Sequence, residues 1–339
     1  MSFAERLVAT WYTPGLTLLA AALLPLSLLF RLAVSLRRRA YRARLVHTEA
    51  LPVPVIVVGS IVVGGAGKTP LTRALAEALA ARGWKPGIVS RGYGGTNAAP
   101  RAVRPGDDPA LVGDEPLLLA DAGLPVWVGR DRSAAARSLI AADRECDVLL
   151  SDDGLQHYAL PRDFEIAVID AARGLGNGYL LPAGPLREAA SRLREVDAVV
   201  TLVARTAPQP ARDGGRESVM WYDPLPWRSL ADPGAVADTA QWRAGSVHAI
   251  AGIGDPRRFF DLLRRLGFDP VCHAFPDHHR YVRADLELTG ATAILMTEKD
   301  AVKCAVFADA RCWYLPIRAR IDPALVERVE RKLRGPQAA

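Results

Sequence analysis

Hydrophobic and polar residues alternate along this chain in two different rhythms. From Thr13 to Phe30 the run TPGLTLLAAALLPLSLLF carries no charge over 18 residues. Mostly apolar positions continue from Arg31 to Leu36, and Arg37, Arg38, Arg39, Arg42 and Arg44 follow. At about 1.5 Å per residue such a helix reaches about 27 Å, borderline for a hydrocarbon core of about 30 Å. Pro14 and Pro25 disfavour a straight helix, so a spanning segment and a monotopic or re-entrant anchor are both open. Only Arg6 precedes the apolar run, which argues against a cleaved leader and puts the residues after 36 on the cytoplasmic side. Residues 1–36 are therefore expected to form an N-terminal membrane anchor helix.

After Leu51 the rhythm changes to short apolar runs alternating with helix-like stretches. Strands are expected at 52–59, 87–92, 125–130, 147–153, 164–170 and 197–203, with a helix over 70–83 closed by Gly83. This alternation predicts an α/β fold, P-loop NTPase-like, with a mostly parallel sheet flanked by helices. The Pro-, Gly- and charge-rich stretch 207–217 reads as an exposed loop. From Ser246 the alternation restarts, with helices expected over 255–266 and near 283–288. The expected division is a first α/β core at 37–206, a linker at 207–245 and a second, smaller α/β unit at 246–339.

Composition narrows the function classes. The chain is 50% hydrophobic and 24% charged, as a folded protein should be. A net charge of +6 admits nucleic acid, a membrane surface or an anionic substrate. Residues 31–48 hold six Arg and no acid; setting them aside leaves 37 basic residues against 37 acidic ones. The basicity thus belongs to a collar after the apolar run, where anionic headgroups attract it. With no helix-turn-helix, zinc-finger or RNP pattern, nucleic acid is not expected as a partner, and no protein partner is legible. The four cysteines lack metal-finger spacing and suit reduced thiols.

The chemistry concentrates in VVGSIVVGGAGKTP (57–70), between an expected strand and an expected helix. A glycine-rich turn there lets backbone amides approach phosphate oxygens, aided by the helix dipole. Val62, Val63, Gly64, Gly65, Ala66, Gly67, Lys68 and Thr69 form the expected nucleotide cradle. Lys68 would reach the β- and γ-phosphates, and Thr69 would hold Mg²⁺. Val62 stands where the strict pattern has Gly. An acidic partner should end a hydrophobic strand, and DVLLSDD offers Asp152 and Asp153, either of which could meet the metal. TEKD (297–300) does not match the guanine-reading [NT]-K-x-D pattern, so ATP is the expected nucleotide.

Seven blocks in one order, GGAGKTP (64–70), SRGYGG (90–95), VGDEP (112–116), SDDGLQH (151–157), LPAGPLRE (181–188), FPDHHRY (275–281) and TEKDAVK (297–303), resemble the tetraacyldisaccharide 4′-kinase family. The resemblance implies transfer of the ATP γ-phosphate to the 4′-hydroxyl of an acylated glucosamine disaccharide 1-phosphate at the inner membrane's cytoplasmic face, giving lipid IVA for lipid A. Ser60 stands where the family usually has Asn. By this resemblance Asp114 is the catalytic carboxylate that takes the acceptor's proton, and His278 pairs with it. The two fall in different units, so the site would span a cleft. Glu115 and Gln156 orient metal ligands or the acceptor; Arg132 and Arg187 neutralise the transferred phosphoryl or hold the lipid's 1-phosphate. Tyr93 lies against the sugar, and Thr297, Glu298 and Asp300 contact adenine or ribose. The rival reading is a membrane-associated P-loop ATPase that phosphorylates no lipid.

Overall fold

In the computed structural model, which describes residues 3–97, 99–204, 215–232 and 234–335, two parallel-dominated sheets follow a helical N-terminus. The order is α1 (Phe3–Trp11), α2 (Leu18–Arg42), β1 (Val55–Gly59), α3 (Lys68–Ala80), β2 (Pro86–Ser90), β3 (Arg101–Val103), α4 (Pro109–Val112), α5 (Asp114–Ala120), β4 (Val126–Val128), α6 (Arg132–Ala142), β5 (Val148–Ser151), β6 (Phe164–Asp170), β7 (Ala198–Leu202) and β8 (Glu217–Pro224). It continues with β9 (Arg228–Ser229), α7 (Thr239–Ala244), β10 (Val247–Ala251), α8 (Pro256–Arg265), β11 (Val271–Ala274), β12 (Ala293–Thr297), α9 (Glu298–Cys304), β13 (Cys312–Leu315), β14 (Ile317–Ile321) and α10 (Pro323–Leu333).

Among the described residues the first sheet runs β14-β8-β7-β6-β1-β5-β2-β4-β3. It is parallel except at its edges, where β3 and β14 pair antiparallel. Its middle strand β1, VIVVG, is buried at every position, as a strand covered on both faces must be. Helix α3 lies on one face and puts Leu71, Leu75 and Leu79, spaced by four, fully out of solvent. Each contributes roughly 1.5–3 kcal/mol by burial. On the other face Ile61, Leu139, Leu155 and Leu186 form a second cluster. The register that matters for function is Val57 opposite Ser151, because parallel pairing then brings the ends of β1 and β5 level.

The second sheet runs β11-β10-β12-β13-β9, with helix α8 packed on β10. The segment 207–245, expected as a linker, carries β8, which extends the first sheet, and β9, which edges the second. Strand β8 carries the apolar run VMWY (219–222), a strand signal that the loop-like residues before it obscured. Most of the expected loop 207–217 lies outside the described residues. The last strand and helix of the expected C-terminal unit return to the first sheet: β14 pairs with β8, and α10 supplies Leu325, Val326 and Val329 to that core. The helix expected near 283–288 is a short 3₁₀ turn over Arg283–Leu286.

Helix α2 differs from a core helix. Only Ala20 and Ser27 are buried along its 25 residues, while Leu18, Leu26, Leu28, Leu29, Leu32 and Leu36 are exposed. Length and hydropathy would let it cross a membrane. It nevertheless touches the body at several levels: Ser27 Oγ donates to Leu180 O at 2.8 Å, Tyr41 packs on Tyr158, and Arg38 and Arg42 pair with Glu195. Part of the basic collar is therefore held by Glu195. Pro25 lies inside the helix without ending it.

Candidate active site

The loop after β1 turns into α3 through Gly67, whose φ of 90° is the left-handed conformation glycine adopts without cost. Lys68 folds back over the loop, its Nζ donating to Gly64 O at 3.2 Å. Three amides of the expected cradle are already engaged: Val62 N–H donates to Ser60 Oγ at 3.0 Å, Val63 N–H to Pro185 O at 2.9 Å and, within the turn, Ala66 N–H to Gly64 O at 3.0 Å. Val62 itself is buried in a bridge to Leu186, which explains why a branched residue fits there. A turn able to bind phosphate would therefore begin at Gly64.

Because β1 and β5 are level, Asp152 and Asp153 stand beside this turn, and they are chemically unlike. Asp152 is fully buried and accepts from Thr69 Oγ1 at 2.9 Å and Thr72 Oγ1 at 3.0 Å. Burial, then the charges of Glu115 and Asp153, push its pKa up to about 6. Asp153, at φ 47°, is ringed by cations. Arg187 Nη1 lies 3.1 Å from both its oxygens, Lys68 Nζ lies 3.9 Å away, and buried Arg132 donates to its carbonyl at 2.8 Å. Burial raises its pKa, but Lys68, Arg187 and Arg132 bring it below the usual range. A divalent cation fits at Asp152 and Thr69, where hard oxygen donors meet unbalanced negative charge. Gln156 bridges the neighbouring groups, donating to Ser60 O and Glu188 Oε1 and accepting from Arg187.

The second half of the site joins a residue of the first unit to one of the second. Asp114 opens α5 and is 5% exposed; His278 sits at φ 59° in the turn after β11. His278 Nδ1 lies 3.0 Å from Asp114 Oδ2. Burial opposes ionisation of the carboxylate, yet the His278 hydrogen bond and the Lys299 and Lys303 charges hold its pKa below the ordinary value. Burial likewise opposes the imidazolium, and the Asp114 bond outweighs it, so His278 is shifted up. Tyr93 packs on the imidazole with ring centroids 4.9 Å apart. The adjacent His279 instead binds Asp285 at 3.0 Å and packs between Phe275 and Tyr281. The units meet at the phosphate loop too. Arg173 Nη2 donates to Gly254 O at 2.7 Å, and a Cβ on Gly254 would lie 2.9 Å from Gly65 N.

Of the expected nucleotide contacts at 297–300, Thr297 and Asp300 bond each other, while Glu298 turns to another helix. Thr297 caps α9, accepting from Asp300 N at 3.1 Å. Asp300 is enclosed, with Thr297 Oγ1 at 2.6 Å, Gly252 N at 3.1 Å and Lys303 Nζ at 2.7 Å. Glu298 faces Arg73 at 3.5 Å. The Thr297 and Asp300 contacts organise the second unit's strand ends, and Glu298 reaches α3 of the first unit.

A family model described as tetraacyldisaccharide-1-P 4′-kinase matches residues 19–334. The chain belongs to that family. Tetraacyldisaccharide 4′-kinases from Azoarcus sp. and Methylobacillus flagellatus are similar to it, at 52% identity over 93% of this chain and 92% of the relative, and 48% over 98% and 97%. Among solved structures, that of the "apo" form of LpxK from Aquifex aeolicus in complex with ATP superposes with a TM-score of 0.78 at 27% identity, covering 93% of this chain and all of the other. The protein is accordingly a kinase.

Within this kinase family frame, Ser60 does in place of Asn what a short polar side chain can do, capping the Val62 amide and keeping the loop's entry turned. Two participants escaped the sequence reading. Glu188 is buried between Gln156, at 2.8 Å, and Tyr158, at 2.5 Å. Lys299 stands inside the TEKD block already quoted; a lysine flanked by acids reads as a solvated residue until the opposite unit is in view.

Proposed function

We propose that this protein is the tetraacyldisaccharide 4′-kinase its family name describes, transferring the γ-phosphate of ATP to the 4′-hydroxyl of an acylated glucosamine disaccharide 1-phosphate and yielding lipid IVA. The observation that carries this reading is the Asp114–His278 contact, which holds a buried carboxylate of lowered pKa at the junction of the two units, where the glycine-rich turn also meets Gly254. A sugar hydroxyl is a weak nucleophile, and transfer is helped where a positioned carboxylate accepts its proton. Asp114 takes that proton as the oxygen bonds to phosphorus and the bond to the leaving ADP oxygen breaks. His278 orients the carboxylate.

Lys68 and the amides from Gly64 onward hold the β- and γ-phosphates. Arg187, free to exchange Asp153 for a phosphoryl oxygen, offsets developing charge, and buried Arg132 keeps the Asp153 backbone in place. Thr69 and Asp152 would hold Mg²⁺, which when bound shields phosphate charge. Tyr93, exposed beside His278, offers a face for the sugar. Bound ATP in the Aquifex protein supports the nucleotide assignment. The exposed leucines of α2 and the arginines following them support an inner-membrane address at the cytoplasmic interface. The helix's contacts with the body favour lying along the interface over crossing it.

Incubation with γ-labelled ATP and an acylated disaccharide 1-phosphate tests the reading. Label should enter the lipid fraction at the 4′ position, with little hydrolysis when lipid is omitted. Lipid-independent hydrolysis with no labelled lipid would establish the ATPase alternative.

A further inference from the structure

Lys299 lies in the first turn of α9, a helix packed directly on α5. Its side chain is 16% exposed, unusual for lysine. Nζ donates to Glu115 Oε1 at 3.0 Å and to Asp277 Oδ1 at 3.2 Å, and lies 3.5 Å from His278 Nε2 and 3.9 Å from Asp114 Oδ2. One ammonium therefore bonds α5 of the first unit and the 277–278 turn of the second. That turn needs holding: His278 is in a left-handed conformation, and its bond to Asp114 exists only while the two units are in register. The Asp114, Glu115 and His278 group has the spacing of a metal site, but the ammonium already supplies a cation among these side chains.

The geometry points to Lys299 as a positioning residue for phosphoryl transfer, clamping the Asp277–His278 turn onto α5 and placing a fixed positive charge beside the Asp114 carboxylate. This rests on the kinase reading above. Lys299 touches neither the phosphate turn nor Asp152, so its effect reaches turnover through the dyad. The groups facing Asp114 are His278 and Lys299, with Lys303 further off and bonded to Asp300. Those facing Lys299 are Glu115, Asp114, Asp277 and His278. Removing the ammonium leaves Glu115 and Asp277 uncompensated beside Asp114, so the carboxylate protonates at higher pH.

The test compares Lys299→Met and Lys299→Arg with the wild-type chain in the lipid-phosphorylation assay, with ATP affinity, pH profile and thermal midpoint read in parallel. Lys299→Met should lower kcat by about 10²-fold with KM for ATP within about threefold, and move the acid limb of kcat/KM upward by about one pH unit. Lys299→Arg should restore the limb and most of kcat. An unchanged kcat and acid limb in folded Lys299→Met would overturn the proposal. So would loss of turnover that merely follows loss of folded protein, with Arg giving no rescue. Should the Met variant fail to fold, Lys299→Arg decides: a wild-type acid limb with kcat within about tenfold supports the role, and a displaced limb in folded protein overturns it. Wild-type protein that labels no lipid would instead remove the kinase reading, so the two failures are distinct.

Discussion

His278 Nδ1 lies 3.0 Å from Asp114 Oδ2 although 164 residues separate them in the chain. The bond joins two sheets with separate cores, so the proposed catalytic pair forms only when the units are closed on each other. Substituting Asp114 with Asn keeps the shape and removes the base. We expect Asp114→Asn to lose about 10²–10⁴-fold in kcat while ATP affinity stays within about threefold, and His278→Ala to lose less. Steady-state lipid phosphorylation with an ATP-binding titration measures both. Wild-type turnover in Asp114→Asn would remove the base from this residue.

The same pair has a stability signature. Asp114 is depressed by its partners, so its contribution is present above the ordinary carboxylate value of about 4 and is lost as pH falls through its lowered pKa. His278 is raised, so its contribution is complete below about 6.5 and is lost as pH rises through its raised pKa. The difference in thermal midpoint between wild type and Asp114→Asn should therefore peak near pH 5–6 and shrink on either side. A difference flat from pH 4 to 9 would contradict the pairing.

Asp152 predicts the opposite slope. Its carboxyl, held up to about 6, favours the folded state while protonated, and that contribution is lost as pH rises from about 4 through about 6. A divalent cation bound at Asp152 would replace the proton, so Mg²⁺ should raise the thermal midpoint more at pH 7.5 than at pH 5. In Asp152→Asn this pH dependence should disappear. Equal Mg²⁺ stabilisation at both pH values in wild type would place the metal elsewhere.

Gly67 separates steric clash from backbone strain. A Cβ there would lie 2.5 Å from Tyr222 Oη and 2.6 Å from Met220 Cε, at φ +90°. Gly106 has a similar φ of +82° with open space around it. Gly67→Ala should cost about 2–4 kcal/mol and at least tenfold in ATP affinity, against about 1 kcal/mol and no affinity change for Gly106→Ala. Denaturant unfolding and nucleotide titration read the pair, and equal costs would refute the clash.

Leu28, Leu29 and Leu32 are 62%, 63% and 55% exposed on α2. Changing all three to Ser should leave folding stability within about 1 kcal/mol and sharply reduce co-sedimentation with anionic vesicles. Retained vesicle binding would place the membrane contact on another surface.

How legible the site was depended on whether its parts lie close in sequence. The phosphate turn and the Asp152–Asp153 end of β5 were readable because each is a strand running into a special turn, a local pattern. The pairing of Asp114 with His278, rather than with the adjacent His279, came from motif resemblance. Tertiary contacts separate them: His279 binds Asp285 beside its own loop, whereas His278 crosses the cleft. Thr297, Glu298 and Asp300 read as ligand contacts because they follow a strand, yet Asp300 is enclosed by its own unit and Lys299 between them faces the cleft. Alternating faces of one short helix separate those fates, and the helix's neighbour α5 decides which face matters.

By itself the sequence determined the α/β class, the apolar N-terminal helix with its arginine collar, the phosphate turn and the family, since periodicity, turn residues and spacing are local properties that survive any arrangement of the chain. Only the tertiary structure decided that 217–224 and 317–321 complete the first sheet, that Asp152 faces hydroxyls while Asp153 faces cations, and that Lys299 joins both units. Those outcomes depend on strand order and register, which set neighbours distant in sequence at bonding distance and give adjacent residues opposite electrostatic surroundings.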